Sequence, residues 1–440
     1  MMLGTDGVTW PSAPLGSLVR VVGGGTPSKT RSDFWSGAIP WVSPKDMGRR
    51  ELCDAADHIT EAAIAESATQ IVPAGSVLIV VRSGILVHRF PVSLTRTAVA
   101  LNQDLKALLP GGPLIPEFLA YALEAKSDEV LQHCVKRGAT VHSVDMGKLQ
   151  QVRLPVPPPS EQHRLVEILD QADRLRRLRA EADAKADRIL PALFIKMFGD
   201  PAANPMGWPR TQLADIIQRI DSGWSPVCEH RPASPDEWGV LKLGAVTSNR
   251  YIETENKALP TALDPRPELE VQSGDLLFTR KNTRELVGAC AYVGRTRPRL
   301  LLSDLVFRLR LAADAQVHPL YMWALLTTPG KRSSIEVLAA GSAGSMPNIS
   351  KGRLEGLEIE KPPYPLQVWF ANAVGSVESL RTDIRLAQES IERSFAILLQ
   401  RAFNGALTTR WRTAHMTELL QEMEQQAKAL ASPADKGVSR

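Results

Sequence analysis

A helical seam that occurs twice, 205 residues apart, constrains this chain more than any other feature of its sequence. Leu165, Ile168, Ala172, Leu175, Ala182, Ala186, Ile189, Leu193 and Met197 recur mostly at spacings of three and four. That pattern keeps one apolar stripe along a helix and leaves charges for its other faces. Phe370, Ala373, Val377, Leu380, Ile384, Ala387, Ile391, Leu398 and Ala402 form a second such set. Gln162 and Gln367 stand 205 residues apart, and so do Phe198 and Phe403. One gap-free offset from hinge to helix end marks an internal duplication.

Each seam follows a proline-rich hinge, LPVPPPSEQ in the first copy and KPPYPLQ in the second. Ser160 before Glu161 suits a helix start, because a serine oxygen can accept from the orphan amides of the first turn. An unbroken helix over residues 160–198 would be roughly 58 Å long at 1.5 Å per residue.

The duplication reaches past the helices. Trp10, Pro11 and Leu15 match Trp208, Pro209 and Leu213 at an offset of 198. GGGTPSK (23–29) lines up with DSGWSPV (221–227), and PAGSVLIVVRSG (73–84) with QSGDLLFTRKNT (272–283). RGATVHSVDMGKL (137–149) matches SAGSMPNISKGRL (342–354), again at 205. The offset drifts through the globular parts and holds through the helices, as it would if loops vary and helix length does not. Short apolar runs such as 77–81 and 276–278, bounded by Gly, Pro and Ser, predict strands. Residues 115–125 and 320–327 predict short helices. The fold class is therefore α+β, with two mixed units of a size that can bury its own core. The domain reading is residues 1–153, a first variable unit; 154–200, hinge and long helix; 201–361, linker and second unit; 362–407, hinge and second long helix; 408–440, a partly helical tail. In that tail Leu419, Leu420, Met423, Ala427 and Leu430 share a helical face.

Composition narrows the class without naming a function. Hydrophobic residues at 44% and charged ones at 23% are ordinary for a soluble globular protein. No apolar run approaches the roughly 20 residues that span a bilayer, and the first ten residues lack a secretion signal. Cys53, Cys134, Cys228 and Cys290 are scattered, which fits a reducing cytoplasm and gives no zinc spacing. A net charge of +4 permits nucleic-acid binding without arguing for it.

Catalytic parts are missing from the pattern. There is no Walker phosphate loop, no H-E-x-x-H and no G-x-S-x-G. Lys361-Pro362-Pro363-Tyr364 approaches an amino-methyltransferase motif, but that motif needs an Asn or Asp oxygen where lysine has only donors. The segment reads instead as the second hinge. Gly23-Gly24-Gly25 reads as a turn between strands, and no histidine stands in a metal-ligand pattern.

The repeated features resemble the specificity subunit of type I restriction–modification systems. The matching stretches are LPVPPPSEQHRLVEIL, ALFIKMFGDPAANPMGW and LLQRAFNGAL, each after a variable unit. The second hinge departs from the first, with Leu366 where the first has Glu161. The resemblance implies a DNA reader without activity of its own. Each variable unit would be a target recognition domain for one half of a split DNA sequence, and the two long helices would pair as an antiparallel coiled coil. It further implies two methyltransferase subunits that bind S-adenosylmethionine, two motor-nuclease subunits, and no cofactor on this chain. Two alternatives remain: an enzyme with its own methyltransferase or nuclease activity, and a coiled-coil scaffold with no DNA role.

Base reading needs polar side chains that reach groove edges, and phosphate contacts need cations and amides. Loop residues at matching places of the repeat are the candidates. In the first unit they are Thr26, Ser28, Lys29, Arg82, Ser83, Lys136, Arg137, Thr140, His142 and Ser143. In the second they are Arg280, Lys281, Asn282, Arg284, Ser345, Asn348 and Lys351. Arg295, Arg297 and Arg299 alternate as if along one strand face. Arg174, Arg176, Arg177 and Arg179, with Glu181 and Asp183, read as a solvated helix rim or as a surface that docks a methyltransferase.

Overall fold

The structure is a computed structural model, and it describes residues 10–138, 141–340 and 346–431, with Thr382 and 427–431 described by backbone alone. The chain divides into two compact units, Met1–Arg179 with Gln388–Arg440, and Ala180–Ala387. Both divisions fall inside the long helices, so each unit contains the start of one helix and the far part of the other.

In the first unit the main sheet is built from β1 (Val19–Gly23), β2 (Glu51–Leu52), β3 (Val77–Val80), β4 (Val92–Thr95) and β5 (Leu105–Pro110), in the order β1-β5-β3-β4-β2. Val77–Val80 is buried at every position, which is why it reads as a continuous apolar run and not as an alternation. In the second unit β6 (Ile217–Ser222), β7 (Leu276–Thr279), β8 (Cys290–Tyr292) and β9 (Val306–Leu311) order as β6-β9-β7-β8. This repeats β1-β5-β3-β4 with the same antiparallel pairings. Two lesser sheets repeat as well. Ile39–Val42 pairs antiparallel with Asp57–Ile59 and parallel with Val99–Leu101. Gly239–Leu241 does the same with Asn256–Ala258 and Leu300–Leu301. The ribbon of Ser12–Pro14 with Arg153–Pro155 is matched by Arg210–Gln212 with Glu358–Glu360. The duplication thus extends to the topology where the sequence match is thin, with Glu51–Leu52 and Ile71–Val72 as strands added in the first unit.

Seven helices matter here: α1 (Pro116–Ala125), α2 (Pro159–Ala186), α3 (Ile189–Phe198), α4 (Pro319–Thr327), α5 (Tyr364–Phe403), α6 (Thr409–Ala414) and α7 (Met416–Ala431). The first long segment is therefore not one helix over 160–198. It turns at 187–188, ahead of Pro191, whose ring removes an amide donor and crowds the carbonyl four residues earlier. The repeat partner of Pro191 is Ala396, and α5 runs unbroken for 40 residues.

The seam is also rotated from the expected one. Leu165 and Phe370 are fully buried, and Ile168, Ala172, Leu193, Val377, Ile384, Ile391 and Leu398 are half-buried. Leu175, Ile189 and Leu380 are 62%, 44% and 50% exposed, which takes them off the seam. The inward positions are Leu169, Asp173, Arg176, Leu190, Phe194 and Phe198, one residue later, with Arg381 replacing Leu380. Ion pairs in the middle of the seam defeat a reading that counts only apolar residues.

Within the first unit α2 and α5 run antiparallel. Glu161 meets Arg412 just beyond the end of α5, and Arg176, further along α2, meets Glu392, further back on α5. Within the second unit Asp187 meets Arg381 and Phe194 meets Phe370, again in opposite directions. Leu165, Val166 and Leu169 join the core of β3, β5 and α1, while Leu190, Phe194, Phe198, Phe370 and Val374 join that of β7, β9 and α4.

A hinge glutamine clasps each unit in the same way. Gln162 donates to the carbonyls of Pro113 and Pro157 and accepts from the Ile115 amide at the start of α1. Gln367 donates to Pro362 and Gln316 and accepts from His318 at the start of α4. Both are fully buried, and their amides satisfy backbone groups that a proline-rich turn leaves open.

Ser160 is not the cap of α2. Its amide and hydroxyl both donate to the Glu422 carboxylate at 3.1 and 2.9 Å, so α7 supplies the negative group at that helix start. The tail therefore packs on the first hinge, with Leu419 buried. Leu420 is 39% exposed and Met423 half-buried. The side chains of Ala427 and Leu430 lie outside the described residues.

The second unit contains a buried charge cluster. Arg308 is 1% exposed and meets Asp221 at 2.8 Å and Asp275 at 3.3 Å. Burial pushes the Asp221 carboxyl up, but hydrogen bonds from Arg310 and Arg308 outweigh it and hold the group below its ordinary value. A carboxylate with a depressed folded value adds stability that is present above its unfolded value, about 3.9, and is lost as the pH falls through the folded one. The denaturant midpoint of the second unit should therefore decline below about pH 5. Asp221→Asn should lower it at neutral pH and flatten that decline; an unchanged acid slope would show that Asp221 is not the titrating group.

Candidate nucleic-acid interface

The fold gathers the first-unit candidates from three distant places in the sequence. Arg82–Ser83, Val135–Lys136 and His142–Val144 form a three-stranded sheet with His142–Val144 in the middle. Ser143 is paired with Arg82 on one side and Lys136 on the other, and His142 with Ser83. Arg82, Lys136 and Arg137 are exposed. Lys136 reaches Asp145 at 2.9 Å, and together with the Lys148 and Gly147 amides it keeps that carboxyl below its usual range. The strand at Arg82 is tied to the 102–104 turn, since the amides of Val81 and Arg82 both donate to Asp104. The same turn holds the Thr26 loop: Thr26 bonds Gln103, and Asn102 donates to Thr26. Ser28 bonds Thr30, and Lys29 is exposed. Thr140 lies outside the described residues.

The second unit repeats the arrangement in outline. Asn348 bridges Lys281 on one side and Ala340 on the other, as Ser143 does between Arg82 and Lys136. Arg280 donates through Nε to the Asn348 side chain at 3.2 Å and lies over the Phe307 ring. Lys281 and Arg284 are exposed. Asn282 is not: at 5% exposure it donates to Thr247 and accepts from the Thr283 amide, so its side chain braces a turn. The Lys351 ammonium is held by the Ile220 carbonyl at 2.6 Å. Ser345 lies outside the described residues.

Other expected surface residues are tied back into the fold, Arg297 half-buried and Arg299 still exposed. Arg297 and Arg299 are in a loop, not on a strand. Arg297 donates to the carbonyls of Ala233, Pro235 and Glu237, and Arg299 to that of Asp236. Arg176 and Asp173 sit inside the helix pair, with Arg176 over the Phe395 ring at 4.1 Å. Arg174 and Arg177 stay on the exposed rim. Asn102 and Gln103 were missed by sequence reasoning, because their relation to Thr26 exists only after β5 pairs with β1.

Among the described residues no group of His, Cys, Asp and Glu could hold a metal. No helix among them is long and apolar enough to cross a membrane.

Residues 7–185 match the family described as type I restriction modification DNA specificity domain. The chain is 42% identical over 169 residues to the EcoR124I/EcoR124II specificity subunit of Escherichia coli, covering 38% of this chain and 41% of that protein. It is 35% identical over 196 residues to the EcoEI specificity subunit of Escherichia coli, covering 43% and 33%. These matches span less than half of either relative. A crystal structure of a type I restriction-modification S subunit from M. genitalium aligns over 92% of this chain and 98% of its own, with a TM-score of 0.51 at 12% identity. A chain from a study of complex assembly in a type I system aligns over 91% and 98%, with a TM-score of 0.55 at 16% identity. These structures share the fold. On these sequence matches, residues 7–185 of the chain are similar to type I restriction modification DNA specificity domains.

Proposed function

We propose that the chain is a non-catalytic, cytoplasmic specificity subunit that reads a bipartite target in double-stranded DNA. One observation supports this above the rest: two units of one topology each place a cationic, hydroxyl- and amide-bearing strand cluster at the same point of the repeat. Their side chains differ, Arg82, His142 and Ser143 against Lys281 and Asn348, so the half-sites would be unrelated in sequence. The helix pair would set the unread gap, and its outer faces would dock two methyltransferase subunits carrying S-adenosylmethionine, with two motor-nuclease subunits completing the complex. Mapping methylated adenines in cells that express the chain with its partner tests the reading. Two half-sites at a constant gap are expected. A single uninterrupted site, or methylation independent of this chain, would overturn it.

Two substitutions separate reading from positioning. Arg82→Ala should relax one position of one half-site by about 1–3 kcal/mol and leave the other half intact, whereas Lys29→Ala should weaken all sequences alike. A randomised-site methylation library gives both results. Equal loss at every position for Arg82→Ala would make it a phosphate contact.

A further inference from the structure

The helix pair contains two ion pairs related by the duplication. In the first unit Arg176 meets Glu392 at 2.8 Å. In the second Arg381 meets Asp187 at 3.1 Å. Arg176 and Arg381 are 205 residues apart, and so are Asp187 and Glu392. Each arginine also holds an acid one turn before it, Asp173 at 3.4 Å and Glu378 at 2.5 Å, and these acids keep the same offset. Both arginine side chains are largely enclosed, at 25% and 14% exposure, while Glu392 and Asp187 are 46% and 55% exposed. Each pair is further bound to the body of its own unit. Glu124 of α1 approaches Arg176 at 4.0 Å, and Arg250 meets Asp187 at 2.6 Å.

We infer that Arg176–Glu392 and Arg381–Asp187 are a paired register lock for the two helices, and so positioning residues for the length of the unread gap. The gap part of this rests on the proposed DNA-reading function. Half-exposed ion pairs add little net stability, typically 0–1 kcal/mol, so stability alone does not account for interrupting an apolar seam at two equivalent places. What such pairs do well is discriminate between registers, as polar seam residues do in coiled coils. A slip of one heptad breaks both locks at once. In one direction it sets Arg176 against Arg385 and Asp187 against Val374; in the other it sets Arg176 against Leu399 and Arg381 against Phe194. Of these three registers, only the observed one satisfies both arginines.

The test reverses both locks with Arg176→Glu and Arg381→Glu, then compensates with Glu392→Arg and Asp187→Arg. Spin labels at Leu178→Cys and Ile397→Cys, both exposed positions in the first unit, report the register in a full chain with Cys53 and Cys228 replaced by serine. Reversal should broaden the label distance or shift it by several ångströms, because one heptad of slip slides the helices about 10 Å past each other. The compensated chain should restore it. Mapped with the partner methyltransferase, the gap should change by about 3 base pairs in the reversed chain, at 3.4 Å per pair, and return in the compensated one. An unshifted, equally sharp distance in the reversed chain overturns the lock. A shifted distance with an unchanged gap overturns its role in gap length. If no split site is mapped even for the unaltered chain, the DNA-reading proposal fails, while the label measurement still decides the lock.

Discussion

Replacing Arg412 with alanine should destabilise the first unit by about 3–5 kcal/mol in urea unfolding, because it strands a buried carboxylate. Glu161 is fully buried. Its Oε1 accepts from Thr408 at 2.6 Å and from Arg412 Nε at 2.8 Å, and its Oε2 accepts from the Trp10 indole at 2.8 Å. The Arg412 guanidinium also lies over the Trp10 ring and donates to the Gly405 carbonyl. Without it, two neutral donors remain for a charge removed from water. The tail should lose its seat on the hinge, so protease cleavage around residues 404–415 should quicken. The double variant Glu161→Leu with Arg412→Leu should regain most of the loss, since replacing both members of a buried pair by apolar groups is often neutral. The second hinge, with Leu366 at the equivalent place, already uses that solution. A loss under about 1 kcal/mol for Arg412→Ala would show that the carboxylate is not held by this pair.

Phe370→Ala should cost the second unit about 3–5 kcal/mol, the usual range for emptying a buried aromatic site. Phe370 packs edge-on against Phe194 and Phe198, with ring centroids 5.7 and 5.5 Å away, and both of those rings also touch Tyr321. This cluster joins α3, α4 and α5, so its loss should raise hydrogen exchange in α3 and α4 before it affects the first unit. Phe370→Leu, which keeps most of the volume, should cost much less. Equal losses for the two variants would mean that the site collapses and that no cavity forms.

The sequence by itself determined the duplication, the two long helical segments, the α+β character of the units and the lack of familiar catalytic motifs. These are local properties: period, turn chemistry and spacing are written in neighbouring residues. The break before Pro191 was not read, because the seam pattern runs straight across it, even though proline acts on its own turn. The phase of the seam was not legible, because Asp173, Arg176 and Arg381 face inward only by virtue of partners on the opposite helix. The same holds for Arg297, which reads as a surface cation until the 233–237 loop folds over it. Tertiary structure alone decided which distant groups meet, such as Glu161 with Arg412, Arg176 with Glu392, and Arg82 with Ser143. Such meetings depend on chain segments far apart in sequence converging, and no local pattern encodes which charge will be desolvated beside which.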